Sequence, residues 1–235
     1  MTRIGRYLPP LVLSLCSIPF AGAQTSLDVN LGVGGAQDKA GTTGFDGLYL
    51  TDCSATTATC VKTKPLSTIM VGVGGNLMLS KKFGLGVNAN FQPGKQTYAE
   101  VPSVNFVAGG LLETQPAYNL QSQVAFYQAD ATYVPIGTKK YALRVMAGAG
   151  AATVKFSQTE SNANTTLGSF TSSSYFHGDN YAQAHIGIGA QVYVSGNLFI
   201  RPEFDVHYVK NFTNQFGSNT PKSVTIWLGY SFGNR

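Results

Sequence analysis

Five charged side chains at alternating positions are the strongest candidates for chemistry in this sequence. Arg201, Glu203 and Asp205 occupy every second position of one segment, and Asp130 and Arg144 flank a short connection earlier in the chain. Side chains two positions apart lie on the same face of an extended strand. Acids and bases on one face can form an ion-pair network, line a polar gate, or transfer protons in catalysis.

Two histidines, His185 and His207, are the next candidates. A hydrolase needs a serine, a histidine and an acid within mutual reach. His207 and Glu203 share a strand face, but no serine falls beside them in the predicted strands, and the sequence has no G-x-S-x-G motif. Two histidines alone make a weak metal site. We therefore expect no catalytic residues, no metal and no cofactor, with the histidines as solvated residues of an interior or a rim.

Cys53 and Cys60 lie seven positions apart in a segment rich in threonine, alanine and lysine. In an oxidising compartment such a pair is expected to form one local disulfide. A metal site is the alternative, but no histidine and no third cysteine lies nearby in the sequence. The disulfide is the favoured interpretation.

The start of the chain has the features of a secretory signal. Arg3 and Arg6 precede an apolar stretch from Leu8 to Phe20, and Ala21-Gly22-Ala23 matches a cleavage site. We predict a signal peptide over 1–23 and a mature domain over 24–235. Loss of the two arginines lowers the formal net charge from +5 to +3, and the chain has no basic cluster, so nucleic acid is not an expected partner.

The charged residues must be positioned by strands. Charged residues make up only 11% of the chain, against about 25% in an ordinary soluble domain. Apolar residues alternate with Gly, Asn, Gln and Thr in eight segments, most of them about 9–11 residues long, the length that a tilted strand needs to cross a bilayer. Strands of soluble sandwiches are nearer 5–6 residues. The segments are 27–33, 71–79, 83–91, 125–133, 141–149, 184–194, 198–208 and 224–232.

The connections between these segments alternate in length. Three are short, at 80–82, 134–140 and 195–197, and four are long and polar, at 35–67, 93–122, 155–180 and 210–222. Short turns on one side and long loops on the other are typical of outer-membrane barrels, with the long loops outside the cell. Aromatic residues near the predicted strand ends fit the girdles of such barrels: Phe83, Phe91, Tyr133, Tyr141, Tyr208, Tyr230 and Phe232.

The final segment, Leu228-Gly229-Tyr230-Ser231-Phe232, resembles the terminal strand signal that the barrel assembly machinery reads. Together these features resemble the small eight-stranded outer-membrane proteins, such as the OmpA transmembrane domain and OmpX. The resemblance implies an eight-stranded antiparallel transmembrane up-and-down β-barrel in the cell outer membrane, with outer-membrane lipid and the assembly machinery as partners. A secreted β-sandwich is the alternative architecture.

In such a barrel the charged residues belong inside, since an Arg or Lys facing lipid costs roughly 2–4 kcal/mol near the midplane. The turn at Gly196 predicts that facing positions sum to about 392, which sets Glu203 opposite Gly189. A similar sum around 134–140 brings Asp130 close to Arg144. Because eight strands enclose a lumen barely wider than their own side chains, we favour an interior ion-pair network over a pore.

The sequence therefore predicts a non-enzymatic barrel with a structural or surface-interaction role. A narrow gated channel for ions or small solutes is the alternative, and a lipid A-modifying enzyme is a third hypothesis. The long loops are the expected place for an extracellular ligand. Segment 101–112 is unusually apolar for a loop, and it is expected to extend the barrel, fold over its mouth or contact a partner.

Overall fold

The computed structural model describes residues 26–51, 53, 60–108, 111–164 and 168–233. The predicted signal peptide lies outside these residues. Each of the eight predicted segments coincides with one long strand of a single sheet. The strands are β1 (Ser26–Asp38), β2 (Leu66–Met78), β3 (Phe83–Phe91), β4 (Ala117–Gly137), β5 (Tyr141–Asn164), β6 (Gly168–Ser195), β7 (Leu198–Val209) and β8 (Lys222–Gly233).

The sheet closes on itself. Each of these strands pairs antiparallel with its neighbours in chain order, and β8 pairs with β1 from Ser26 opposite Gly233 to Gln37 opposite Lys222. Closure leaves no unpaired edge where all eight strands lie side by side, whereas β6 pairs with β7 only from Gln183 onward. The prediction of an eight-stranded antiparallel up-and-down barrel is thus confirmed.

Bulky apolar side chains cover the outside of this barrel. On β1, for example, Leu31 is 67% exposed while its neighbour Asn30 is 1% exposed. Five of the predicted girdle aromatics lie near the short-turn end and two toward the opposite end, and all seven are exposed. In the described part of the chain, no helix has the length and apolar character that a membrane span requires.

Three strands are far longer than the sequence predicts. Strands β4, β5 and β6 contain 21, 24 and 28 residues, whereas about 9–11 residues cross a bilayer. Much of the predicted loops 93–122 and 155–180 is therefore strand. These parts were not predicted as strands because the predicted segments were recognised by their outward apolar residues, whereas the outward residues here are polar.

The polarity of the two faces inverts along the strands. On the β4–β5 pair, inward Val124, Phe126 and Val154 are buried and apolar, while outward Gln123 and Lys155 are polar. Toward the short turns the arrangement is the opposite, with polar side chains inside and apolar ones outside. We call the part with the apolar interior, including 117–126 of β4 and 152–164 of β5, the outer section, and the remainder the transmembrane section.

Shorter elements complete the outer section. The added strand Gln96–Val101 pairs with β4 beyond the end of β3. Gly44–Phe45 pairs with Leu50–Thr51 and Val61–Lys62. A short 3-10 helix spans Phe212–Asn214. The apolar segment 101–112 contributes the end of the added strand and much of a hairpin formed by Val104–Ala108 and Leu111–Gln115.

Candidate functional site

The five charged residues that the sequence singled out are all buried. Asp130, Arg144, Arg201, Glu203 and Asp205 are each 3% exposed or less. They lie on β4, β5 and β7, on the strand faces opposite the apolar belt. The structure thus brings charges from three strands into one enclosed space.

The predicted register of β6 and β7 is found in the structure. Gly189 pairs with Glu203, Gly187 with Asp205, and His185 with His207. On this wall Arg201 forms an ion pair with Glu203, Nε to Oε2 2.9 Å, and the Trp227 indole Nε1 donates to Glu203 Oε1 at 2.9 Å. The Arg201 guanidinium also lies over the Trp227 ring at 5.8 Å from its centroid, an arrangement that favours the cation.

The predicted proximity of Asp130 and Arg144 is wrong. Asp130 pairs with Gly148, and Arg144 forms its ion pair with Asp28 of β1. Strand β4 continues to Gly137, so the connection is only residues 138–140. The longer strand and a register irregularity between Tyr133 and Ile136 together shift the pairing, so the residue opposite Asp130 lies four positions beyond Arg144.

His185 links two acids. Its Nδ1 lies 2.8 Å from Asp130 Oδ1, and its Nε2 lies 2.8 Å from Asp205 Oδ1. The expectation of solvated histidines was wrong, since His185 is 2% exposed and His207 is fully buried. A histidine that contacts a carboxylate through each ring nitrogen satisfies both acids best as the imidazolium, which donates from both nitrogens.

His207 has a different environment. Its ring stacks on Phe126 with the centroids 4.4 Å apart, and its Nε2 lies 3.1 Å from the Ser223 hydroxyl. A serine thus does lie beside His207, contrary to the sequence prediction. Ser223 also donates to Asp205 Oδ2 at 3.3 Å. The acid therefore contacts the serine and not His207 Nδ1, which has no hydrogen-bond partner, so the set lacks the acid–histidine bond of a nucleophile triad.

We call the charged residues that form ion pairs inside the barrel the lumen network. It contains two arginines, one histidine that bridges two acids, and two further acids: Asp28, Asp130, Arg144, His185, Arg201, Glu203 and Asp205. Neutral partners complete it, including Asn88, which donates to Asp130, and Ser231, which donates to Asp28. Within the described ranges, no three His, Cys, Asp or Glu side chains are placed to hold a metal ion.

An apolar core closes the lumen on the outer side. Phe126, which stacks on His207, belongs to a buried cluster that includes Tyr98, Phe156 and Phe216. Tyr98 lies 4.9 Å from Phe156 and 5.5 Å from Phe216, centroid to centroid. Its hydroxyl donates to the Gln215 carbonyl, and burial raises the pKa of Tyr98 to about 12. Large side chains therefore fill the passage above the lumen network.

Sequence reasoning missed several of these residues. Asp28 and Trp227 alternate with the outward apolar residues of segments 27–33 and 224–232, so the strand pattern does contain a signal for them. Their partners were not predictable, because Arg144 is 116 residues from Asp28 and the contact depends on how the barrel closes. Apart from Phe126, the aromatic core comes from segments that the sequence indicates only as loops.

Cys53 and Cys60 are joined by a disulfide in the outer section. Gly44 lies against this bond, since a Cβ at that position would collide with the Cys53 sulfur. Gly44 and Phe45 form the central strand of the small three-stranded sheet, and Phe45 is part of the apolar core. The disulfide therefore lies beside the strand that contributes Phe45.

No protein family model matches the sequence, and no curated protein is significantly similar to it. Among solved structures, a major outer membrane protein from Thermus thermophilus is 13% identical over 88% of this chain and 99% of its own, with a TM-score of 0.48. Ail of Yersinia pestis, in complex with the heparin analogue sucrose octasulfate, is 14% identical over 89% and 99%, with a TM-score of 0.44. The N-terminal β-barrel domain of Pseudomonas aeruginosa OprF is 16% identical over 87% and 97%, with a TM-score of 0.37.

Similarity of this degree assigns neither a ligand nor an activity, and the fold follows from the strand pairing. This protein is a closed barrel of eight antiparallel strands, with an apolar belt, a charged interior, short turns at one end and long connections at the other. This is the architecture of proteins of the bacterial outer membrane. The chain is an eight-stranded transmembrane barrel of the outer membrane, with the fold of the OmpA transmembrane domain and OmpX.

Proposed function

We propose that this protein is a sealed, non-enzymatic outer-membrane barrel that presents its outer section for interactions at the cell surface. The observation that supports this most is the outer section itself. Strands β4 to β6 continue well beyond a bilayer's thickness, and their inward faces surround an apolar core with polar residues outside. A core of this kind gives exposed loops a rigid base, which lowers the entropic cost of binding a ligand.

A channel role is the second candidate, and the interior argues against it. The lumen network fills the transmembrane section, and aromatic side chains fill the outer section above it. We expect refolded protein in a planar bilayer to show little or no conductance. Glu203→Ala should lower the free energy of unfolding more than it changes the current, because Glu203 forms an ion pair with Arg201 and accepts a hydrogen bond from Trp227. A large, steady open pore in pure protein would overturn the proposal.

The interaction role is tested by removing the hairpin while keeping the core. Replacing residues 104–115 by a short glycine-serine linker leaves the strand Gln96–Val101, whose Tyr98 and Val101 are buried in the core. Cells displaying the protein are then assayed for retention on surfaces coated with a panel of extracellular polysaccharides and proteins. We expect the variant to fold and to lose retention. Equal retention of the variant and the unchanged protein would rule out the hairpin as the contact surface.

The non-enzymatic assignment and the assembly route have tests of their own. Purified protein incubated with lipid A should release no fatty acid, and steady deacylation would contradict the proposal. We also propose that the assembly machinery recognises β8, where Phe232 is half-exposed at the short-turn end. Phe232→Ala should then slow assembly in cells but not refolding of pure protein in detergent.

A further inference from the structure

A small cavity at the short-turn end of the barrel combines a buried arginine with a basic rim. Its volume is about 320 Å³, and the residues around it include Ser80, Lys81, Thr138, Lys139 and Arg144. The surroundings are partly apolar, with Met78, Val134 and Ala142 contributing to the wall. Apolar walls lower the local dielectric constant and strengthen the attraction between a cation and an anion.

Arg144 forms the inner part of this cavity with hydrogen-bonding capacity to spare. The side chain is 3% exposed, and one terminal nitrogen forms the ion pair with Asp28. Its Nε and Nη1 are buried and have no hydrogen-bond partner. A buried donor without an acceptor costs about 1–3 kcal/mol, more for a charged group, so an acceptor placed in the cavity would be stabilised.

The rim adds uncompensated positive charge. Lys81 and Lys82 lie on the β2–β3 turn, and Lys139 and Lys140 lie on the β4–β5 turn. All four are exposed, and no carboxylate of a described residue forms an ion pair with any of them. The backbone N–H of Val134 donates to the Lys82 carbonyl at 2.8 Å, so the first turn lies beside the end of β4.

Both turns are held by hydroxyl groups. The Ser80 hydroxyl accepts from the backbone N–H of Phe83 at 3.1 Å, and the Thr138 hydroxyl accepts from that of Tyr141 at 3.1 Å. These bonds order the backbone from which the lysines project. The two turns therefore present their charges from defined positions around the cavity.

We propose that this periplasmic mouth binds an oxyanion, a phosphate or a carboxylate group, with the Arg144 guanidinium at its base and Lys81 and Lys139 at its rim. A guanidinium recognises either group through paired N–H donors, and lysines add charge without demanding one geometry. The small volume suits a single anionic group. Such a group can belong to a soluble molecule of the periplasm or to a lipid headgroup of the adjacent leaflet.

The test uses full-length barrel refolded in non-ionic detergent with ¹⁵N-labelled arginine. Inorganic phosphate is titrated at constant ionic strength, and the Nε–Hε signal of Arg144, assigned with Arg144→Lys, is followed by NMR. We expect a saturating shift. The double variant Lys81→Gln/Lys139→Gln should bind phosphate at least about fivefold more weakly, because loss of even one of the two lysines is expected to weaken binding by about that factor.

The matched control is Lys39→Gln/Lys210→Gln, which removes two exposed lysines at the opposite end of the barrel. It should leave the titration unchanged. Fast gel migration of unheated samples shows that each variant is folded. A second arm places the barrel in nanodiscs of phosphatidylcholine with or without phosphatidylglycerol, in a buffer that contains no inorganic phosphate. A shift there with none from free phosphate assigns the anion to a lipid headgroup.

Three results would overturn the inference. The first is an Arg144 signal that moves with neither phosphate nor phosphatidylglycerol. The second is an equal, unsaturated shift with chloride alone. The third is a loss of binding as large in the Lys39/Lys210 control as in the Lys81/Lys139 variant, because it would show that only total charge matters.

Discussion

His185 is the residue on which the lumen network depends most directly, because it separates Asp130 from Asp205. Replacing it by leucine leaves two buried carboxylates without their shared cation. We expect His185→Leu to lower the free energy of unfolding by about 3–5 kcal/mol, the cost of removing one partner from a buried ion pair. Urea titration followed by the fluorescence of Trp227, the single tryptophan, measures this loss.

The control is His177→Leu, since His177 also contacts an acid, Asp179, but has a half-exposed side chain. It should cost no more than about 1 kcal/mol. Adding Asp130→Asn and Asp205→Asn to His185→Leu should recover part of the stability. Equal unfolding midpoints for His185→Leu and His177→Leu would show that the bridge does not stabilise the barrel.

Trp227 fits inside the barrel because the next two strands around the barrel from β8, which are β1 and β2, carry glycine at its level. A Cβ at Gly72 would lie 2.5 Å from the Trp227 ring atom Cη2, and one at Gly32 would lie 2.6 Å from Cε3. We expect Gly72→Ala to displace the indole from Glu203, to shift its emission, and to cost about 1–3 kcal/mol through overpacking. Gly94→Ala is the control, since nothing lies within 4 Å of its added carbon. Identical Trp227 emission spectra for the two variants would contradict the packing argument.

The sequence predicts contacts at this scale only where a short connection fixes the register. The pairing of His185 with His207 follows from the turn at Gly196, because few residues separate the strands. The ion pair between Asp28 and Arg144 joins non-adjacent strands across the lumen, so no local pattern encodes it. The alternation of apolar and polar residues predicts which face of its strand each of these residues occupies, but not which residue it contacts.

Tyr98 packs the added strand Gln96–Val101 against the apolar core of the outer section, where it contacts Phe156 and Phe216. Burial raises the pKa of Tyr98 to about 12, against about 10 in an unfolded chain. The folded state therefore holds this proton more tightly, and the resulting stability is complete below pH 10 and is lost as the pH rises from 10 to 12. The loss amounts to roughly 2–3 kcal/mol.

Urea titrations between pH 9 and 12, at roughly half-unit intervals, measure this loss. Tyr98→Phe should flatten the alkaline decline, although it removes the hydrogen bond to the Gln215 carbonyl and lowers stability at neutral pH. Some decline should remain, because the pKa of Tyr181 is also raised to about 12 by burial. An unchanged slope in Tyr98→Phe would contradict the assignment.

The lengths of β4, β5 and β6 show why the outer elements escaped prediction. Lipid selects apolar outward residues, so the transmembrane parts of these strands have a clear alternation. Beyond the membrane, water accepts Ser, Thr, Asn and Gln on the outward face, and these residues are also common in loops. Only the inward alternation of Leu120, Val124 and Phe126 remained as a signal.

At the scale of the whole molecule, the polarity inversion predicts how the outer surface tolerates charge. Ala129 lies on the apolar belt, and Gln121, eight residues earlier on the same face of β4, lies in the outer section. In lipid vesicles, Ala129→Arg should cost about 2–4 kcal/mol and Gln121→Arg about 0–1 kcal/mol. Urea titration of both variants checks the difference, and similar costs would place the membrane boundary elsewhere.

The inversion also determines the depth at which the barrel sits. Alternation with a period of two fixes which face of a strand meets lipid, but a strand moved by two residues, about 7 Å, keeps every face correct. Here such a movement would carry Lys155 toward hydrocarbon or lift apolar belt residues into water. The chain is thus anchored vertically at its outer boundary, and membranes of different thickness are expected to be accommodated at the periplasmic end.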